Sequence, residues 1–333
     1  KMIGWDRGYI TFNPQAHKWL SLTGGKFAYT WDRTPTTFDS DLNPEGFSEK
    51  FSFDTKSPVV KNVTFTAMQL LYNEGNGNYL GNAGAPRSDS FAVGGQVLAK
   101  LALGGRVSMT PSFSVLNWRN VDVLLNEGFS SQPGGTPLPV PSPGGTGTFA
   151  PNNMTNGTYV GADGKNHFVS GFLYADFIDK IHVNTGWDRF PIDLLLEYEQ
   201  NLNAVNPCTP PFGPSPCAPG DLGDQNKAYG FDVSIGQHKN KGDFLLVCCL
   251  VRQEQGMVIL SLNHSDQRAP TNVLQNRIWA DYKLRKNTTL EYTFWFGRYL
   301  NTNLPHPGGA PGLVAGQKEP LLRRMQFDLI YSF

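Results

Sequence analysis

From Arg324 to Phe333 the chain alternates with period 2, broken at one position. Met325, Phe327, Leu329, Tyr331 and Phe333 fall on one face of an extended segment. Arg324, Gln326, Asp328 and Ser332 fall on the other, with Ile330 the one apolar residue among them. Successive side chains of a β-strand point to opposite faces, so this period predicts a strand of about ten residues, long enough to cross a bilayer at a tilt. The pattern recurs upstream. Leu290, Tyr292, Phe294 and Phe296 oppose Thr289, Glu291, Thr293 and Trp295, and Ile278, Ala280, Tyr282 and Leu284 oppose Arg277, Trp279, Asp281 and Lys283. Similar alternation runs through 106–118, 191–201 and 228–238. A long aromatic strand left as an open edge invites aggregation, whereas closure into a barrel removes the edge.

Roughly thirteen strands are predicted, at 2–12, 19–31, 45–53, 62–72, 88–103, 106–118, 166–177, 191–201, 228–238, 243–252, 274–284, 288–299 and 323–333. The segment 257–262 either extends the tenth strand or forms a piece of loop folded inward. Short connections (13–18, 54–61, 104–105, 239–242, 285–287) alternate with long ones (32–43, 73–86, 119–164, 202–225, 253–271, 301–319). An up-and-down outer-membrane barrel has this asymmetry, with short periplasmic turns and long outer loops. The expected fold is therefore all-β: one transmembrane antiparallel up-and-down β-barrel over 1–333. The first and last strands both run toward the short turns. An even strand number then requires further strands, and we expect sixteen in all, with N-terminal strands and a signal peptide upstream of Lys1.

Composition agrees with this picture. Charged residues are 17% and aromatics 12%, with 36 Gly and 24 Pro, as suits strands joined by many turns. The uncharged run 244–251 is far shorter than the ~18 apolar residues of a membrane helix. It is also the one strand that does not alternate. Zero net charge gives no footprint for nucleic acid. The expected partners are outer-membrane lipid on the apolar face and small polar solutes and ions on the polar face.

Facing inward, the polar positions would line a wet pore. The basic candidates are Arg106, Arg277, Lys283 and Arg324. The acidic candidates are Asp193, Glu197, Glu199, Asp232, Asp281, Glu291 and Asp328. Such side chains bias ion passage, and mixed signs predict weak selectivity. The plainer role for any one of them is cross-strand pairing that stiffens the wall. Cys208 and Cys217 bracket a Pro-rich loop and could form a disulfide, while Cys248 and Cys249 point to opposite faces of a strand. No catalytic, metal or cofactor site is expected. The acidic run from Asp39 resembles the start of a calcium loop but fails at Pro44 and Lys50, and the six His are scattered. There is no G-x-S-x-G elbow and no Walker loop. The chain is thus expected not to be an enzyme. A barrel-embedded hydrolase and a structural or adhesive barrel that docks partners through its loops are the alternatives. Loop 119–164 would either constrict the pore or cover its mouth.

Several stretches resemble the "Putative porin" family of bacterial outer-membrane barrels. Residues 20–27, Trp31-Asp32 and the Asp41-Leu42-Asn43-Pro44-Glu45-Gly46 element are similar to the family's strand–loop–return segment. Gly242-Asp243-Phe244, Asn263-His264-Ser265-Asp266, Asn287-Thr288-Thr289-Leu290 and the terminal strand resemble its later motifs. The resemblance implies a passive diffusion channel in the outer membrane, with a homotrimer as its assembly. The run 245–251 departs from the family's alternation.

Overall fold

The computed structural model describes residues 6–40, 42–73, 89–126, 156–163, 166–209, 222–259, 262, 267–304 and 316–332. Its strands are β1 (Gly8–Phe12), β2 (Leu20–Lys26), β3 (Glu45–Asp54), β4 (Val60–Asn73), β5 (Ser90–Leu103), β6 (Val107–Arg119), β7 (Thr158–Val160), β8 (Asn166–Phe168), β9 (Leu173–Val183), β10 (Ile192–Asn201), β11 (Lys227–Gly236), β12 (Phe244–Gln253), β13 (Val273–Arg285), β14 (Thr288–Tyr299) and β15 (Leu322–Tyr331). One helical turn, α1 (Val123–Asn126), follows β6, and no described helix is long and apolar enough to cross a membrane.

All strands but β7 and β8 form one thirteen-stranded antiparallel sheet in chain order, an up-and-down meander. β7 and β8 make a separate hairpin within the β6–β9 connection. β1 and β15 stand at the two ends of the sheet and are not paired with each other. Because neighbours alternate in direction, these two edge strands run the same way.

The faces are inverted relative to a water-soluble sheet. On β14, Thr289 is 8% exposed and its neighbour Leu290 43%. On β6, Ser112 is 3% exposed and Phe113 46%. Phe47, Phe65, Val93, Phe177, Leu196 and Phe231 also point outward, while Ser48, Thr66, Gln96, Asp176 and Glu199 are enclosed. Leaving so many aromatic and branched side chains outside in water would forgo about 1.5–3 kcal/mol each of burial, which lipid would restore.

The non-alternating run forms β12 without any slip. It pairs residue by residue with β13 over all ten positions and with β11 over nine, from Leu245 to Gln253. Phe244, Leu246 and Leu250 are exposed on the outer face. Leu245, Val247, Cys249 and Val251 share the inner face, so this strand places an apolar stripe on the otherwise polar interior. Cys248 and Cys249 point apart and are free thiols.

Two predicted strands are corrected. The strand expected over 19–31 ends at Lys26, because Phe27 and Trp31 leave the wall and pack in the core. The alternation over 166–177 suggested a single strand, but 166–168 pairs with β7 and the wall strand is β9, which runs on to Val183. Phe168, Val169 and Phe172 turn inward instead and pack in the core, which draws 169–172 out of the sheet.

The core lies inside the sheet at the long-loop end. Phe27, Trp31 and Phe38 from the β2–β3 connection pack with Met68, Trp118, Phe172 and Tyr174, and with Met257, Val258, Ile259 and Leu262 from the β12–β13 connection. Over its described residues, 257–259 and 262, the segment expected either to extend a strand or to fold inward is inward-folded loop. Where β2, β3 and β4 run side by side, Gly25 and Gly46 are paired, both at positive φ (117° and 138°). A Cβ at Gly46 would lie 2.0 Å from the carbonyl oxygen of Gln69, so only glycine allows this approach.

Candidate functional site

The β2–β3 connection, described over residues 27–40 and 42–44, folds into the interior and is fastened to the wall on several sides. Its own packing is aromatic. Tyr29 meets Trp31 edge-on at 5.0 Å, and the Arg33 guanidinium lies 4.3 Å over the Tyr29 ring. Arg33 also donates to the Phe38 carbonyl at 2.8 Å, and the Tyr29 hydroxyl donates to the Asp39 carbonyl at 3.1 Å. Burial pushes the Tyr29 phenol well above its ordinary value, so it stays neutral.

Four strands hold the loop. On β5, the Gln96 side chain brackets the Asp32 backbone: Asp32 N–H donates to Gln96 Oε1 at 2.8 Å, and Gln96 Nε2 donates to Asp32 O at 2.7 Å. On β9, Lys180 forms an ion pair with the Asp32 carboxylate. On β10, Glu197 receives the Thr34 hydroxyl on Oε1 at 2.5 Å and the Thr36 hydroxyl on Oε2 at 2.6 Å. On β12, Gln253 Nε2 donates to the Thr36 carbonyl at 3.1 Å. A second inward segment meets the first: the Asp39 N–H donates to Leu262 O at 2.7 Å, and Ile259 N–H donates to the Tyr174 hydroxyl at 2.7 Å. Asn201 anchors this layer. Its Nδ2 donates to Gly171 O at 2.8 Å and to Gly256 O at 2.7 Å, and its Oδ1 accepts from Leu173 N at 3.0 Å.

Behind the loop, three carboxylates converge. Asp176 on β9 and Glu199 on β10 are directly paired across the strands, and Glu197 lies two residues from Glu199 on the same face. An oxygen from each lies within 4.8 Å of the others, and all three residues are buried. Like charges at that spacing repel by about 3 kcal/mol per pair at an effective dielectric constant near 20. Neither Glu199 oxygen accepts a hydrogen bond from any described N–H or O–H, nor does Asp176 Oδ1. The neighbouring strand leaves room for the cluster: Ala228 faces Glu199, and Gly230 faces Glu197. A Cβ at Gly230 would lie 2.5 Å from Glu197 Oε2.

Toward the short-turn end the interior opens into a cavity of about 700 Å³, bordered by Ser108, Thr110, Lys180, His182, Asp193 and Asp232. His182 bonds to Asp193 at 2.6 Å. A second, narrower space of about 90 Å³ also borders Asp232 and is lined by Thr34, Thr36 and Glu197, beside the loop. Arg277 borders it, with its guanidinium 3.6 Å from the Trp279 ring centroid and 4.7 Å from that of Trp295.

The charged positions picked from alternation fall in distinct rows. Asp232, Cys249, Arg277, Trp295 and Arg324 are successive cross-strand partners. Asp281, Glu291 and Asp328 form an acidic row nearer the short turns. Asp281 also lies 3.7 Å from His238, and Glu291 accepts the Thr293 hydroxyl at 3.0 Å. Lys283 donates to Thr289 Oγ1 at 3.1 Å. Arg106 sits in the β5–β6 turn, exposed, where its carbonyl accepts Asn184 N–H at 2.8 Å. Cys208 is disulfide-bonded, and Cys217 lies outside the described residues.

Sequence reasoning missed the inward loop and the carboxylate triad. Most of loop 119–164 lies outside the described residues. Its described part docks by polar contacts: Asp122 Oδ2 and Asp163 Oδ1 lie 2.9 and 3.0 Å from the two ring nitrogens of His167. The Glu197/Glu199 spacing and the Thr-rich stretch 34–37 were visible in the sequence. Nothing local, however, brings them together across more than 150 residues.

Comparison with known proteins adds the following. No curated protein matches the chain. Nineteen chains of solved structures do. One is titled "Copper transporter OprC", at 9% identity and a TM-score of 0.38, covering 87% of this chain. The chain spans 44% of the length of that structure. The family resemblance read from the sequence is borne out over the first six strands and the inward loop: residues 1–138 match the protein family described as "Putative porin".

Proposed function

We propose that the chain forms the wall of an outer-membrane channel through which ions and small polar solutes diffuse passively. The inversion of the sheet carries this reading: aromatic and branched side chains cover the outside, and hydroxyls, amides and charges line the inside. Lipid accepts the first surface and water the second. The family match over 1–138 supports it. The long-loop half is filled by an aromatic core and by loop 27–44, so the conducting path is a narrow one beside that loop. Closure of the wall is part of the proposal. β1 and β15 run in the same direction, so an all-antiparallel barrel needs an odd number of strands between them, and three would give the expected sixteen.

The chain has a channel role and not a catalytic one on this reading. Solute flux into proteoliposomes tests it. Folded protein should admit small sugars and amino acids with a steep dependence on size. Proteoliposomes no leakier than protein-free vesicles would contradict it.

A further inference from the structure

We propose that Asp176, Glu197 and Glu199 bind a calcium ion inside the wall, and that this ion fixes the inward loop. Three observations converge. Oxygens of the three carboxylates lie within 4.8 Å of one another, a spacing that one ion of 2.3–2.6 Å bond length spans. Glu199 is fully enclosed and its oxygens meet no described donor outside the carboxylate cluster itself, and Asp176, 5% exposed, also carries an oxygen, Oδ1, that accepts no described hydrogen bond. Lys180, on the same strand as Asp176, forms its ion pair with Asp32 and not with the triad.

An all-oxygen, all-carboxylate set favours a hard cation over a transition metal. The two free oxygens of Glu199 suit bidentate binding, which calcium accepts and magnesium, with its near-ideal octahedron, does not. Glu197 can serve both purposes, because each carboxylate oxygen keeps a lone pair beyond the one that takes a Thr hydroxyl. Gly230 and Ala228 leave the space open on the third strand. The ion would thus join β9 and β10 and, through Thr34 and Thr36, hold residues 27–44 across the interior. This site stands on local geometry and does not require the channel to conduct.

The test uses the full chain, folded in detergent, stripped with a chelator and titrated calorimetrically with calcium chloride. The wild type should bind one calcium ion per chain at the triad, and Glu199→Gln and the Asp176→Asn/Glu199→Gln pair should weaken that binding at least ~10-fold. Heat-dependent gel mobility reports whether each variant is folded. Should the amide variants not fold, terbium luminescence of the wild type carries the test. Emission sensitised by Tyr174 and displaced by calcium is expected. Folded wild type that binds no calcium, folded variants that bind it unchanged, or terbium emission that calcium does not displace would overturn the assignment.

Discussion

Thr34, on a connection between two strands at one side of the sheet, donates a hydrogen bond from its hydroxyl to Glu197 on β10, and the pair are 163 positions apart in sequence. Thr36 grips the other oxygen of the same carboxylate. Both bonds are charge-assisted when Glu197 is ionised, the stronger class of hydrogen bond. Replacing both threonines by alanine removes them and leaves a buried carboxylate short of donors. The loop should loosen, and single-channel conductance should rise by roughly 1.5- to 3-fold with noisier open levels, because the narrow space beside the loop widens.

Gly230 lies against a carboxylate that two threonine hydroxyls hold in place. A methyl group there would stand 2.5 Å from Glu197 Oε2. Gly230→Ala should destabilise the folded protein by about 1–3 kcal/mol, the usual cost of overpacking. Urea unfolding in detergent reads this directly. The exposed turn glycine Gly105 has open space around it, so Gly105→Ala is the control and should change stability by less than about 0.5 kcal/mol.

Alternation made most of the architecture legible. It exposed the strands because wall strands separate two solvents, and each solvent selects side chains at every second position. The thirteen wall strands and their segregated connections follow from that rule. It failed where that selection lapses. On β12 both faces are apolar, so the run 244–251 left its register open until pairing with β11 and β13 settled it. At 166–172, Phe168 and Phe172 answer to an inward core and not to lipid, and the strand was placed too early. The inward loop was out of reach because its partners Gln96, Lys180, Glu197 and Gln253 come from four strands spread along the chain.

The acidic row predicts a direction of selectivity. Asp281, Glu291 and Asp328 are consecutive cross-strand partners toward the short-turn end. Converting Asp281 to Asn and Glu291 to Gln should lower the cation-to-anion permeability ratio by a few-fold, about 2 to 5. Arg277→Gln should move it the opposite way. Reversal potentials across a salt gradient measure both.

His167 gives the outer hairpin a pH dependence. Hydrogen bonds to the carboxylates of Asp163 first, then Asp122, raise its pKa above the ordinary 6.5. A raised pKa in the folded state means that the stabilisation is fully present below pH 6.5 and is lost as pH rises through the higher folded value. The Phe168 N–H, which donates to Asp122 Oδ1 at 2.8 Å, should therefore exchange with solvent faster at high pH than the intrinsic rate predicts. His167→Gln should abolish that excess. Hydrogen exchange across pH 5.5–8.5 is the check, and the effect is small because the ring is partly in solvent.

Planar-bilayer recording of the folded protein decides whether the polar interior is a water-filled path narrowed by the loop that carries Thr34 and Thr36. Discrete, reproducible current steps are expected from heat-modifiable protein, and larger steps from the Thr34→Ala/Thr36→Ala variant. Folded protein that inserts but gives no steps would contradict the channel, and equal steps from the variant would contradict the role assigned to the loop.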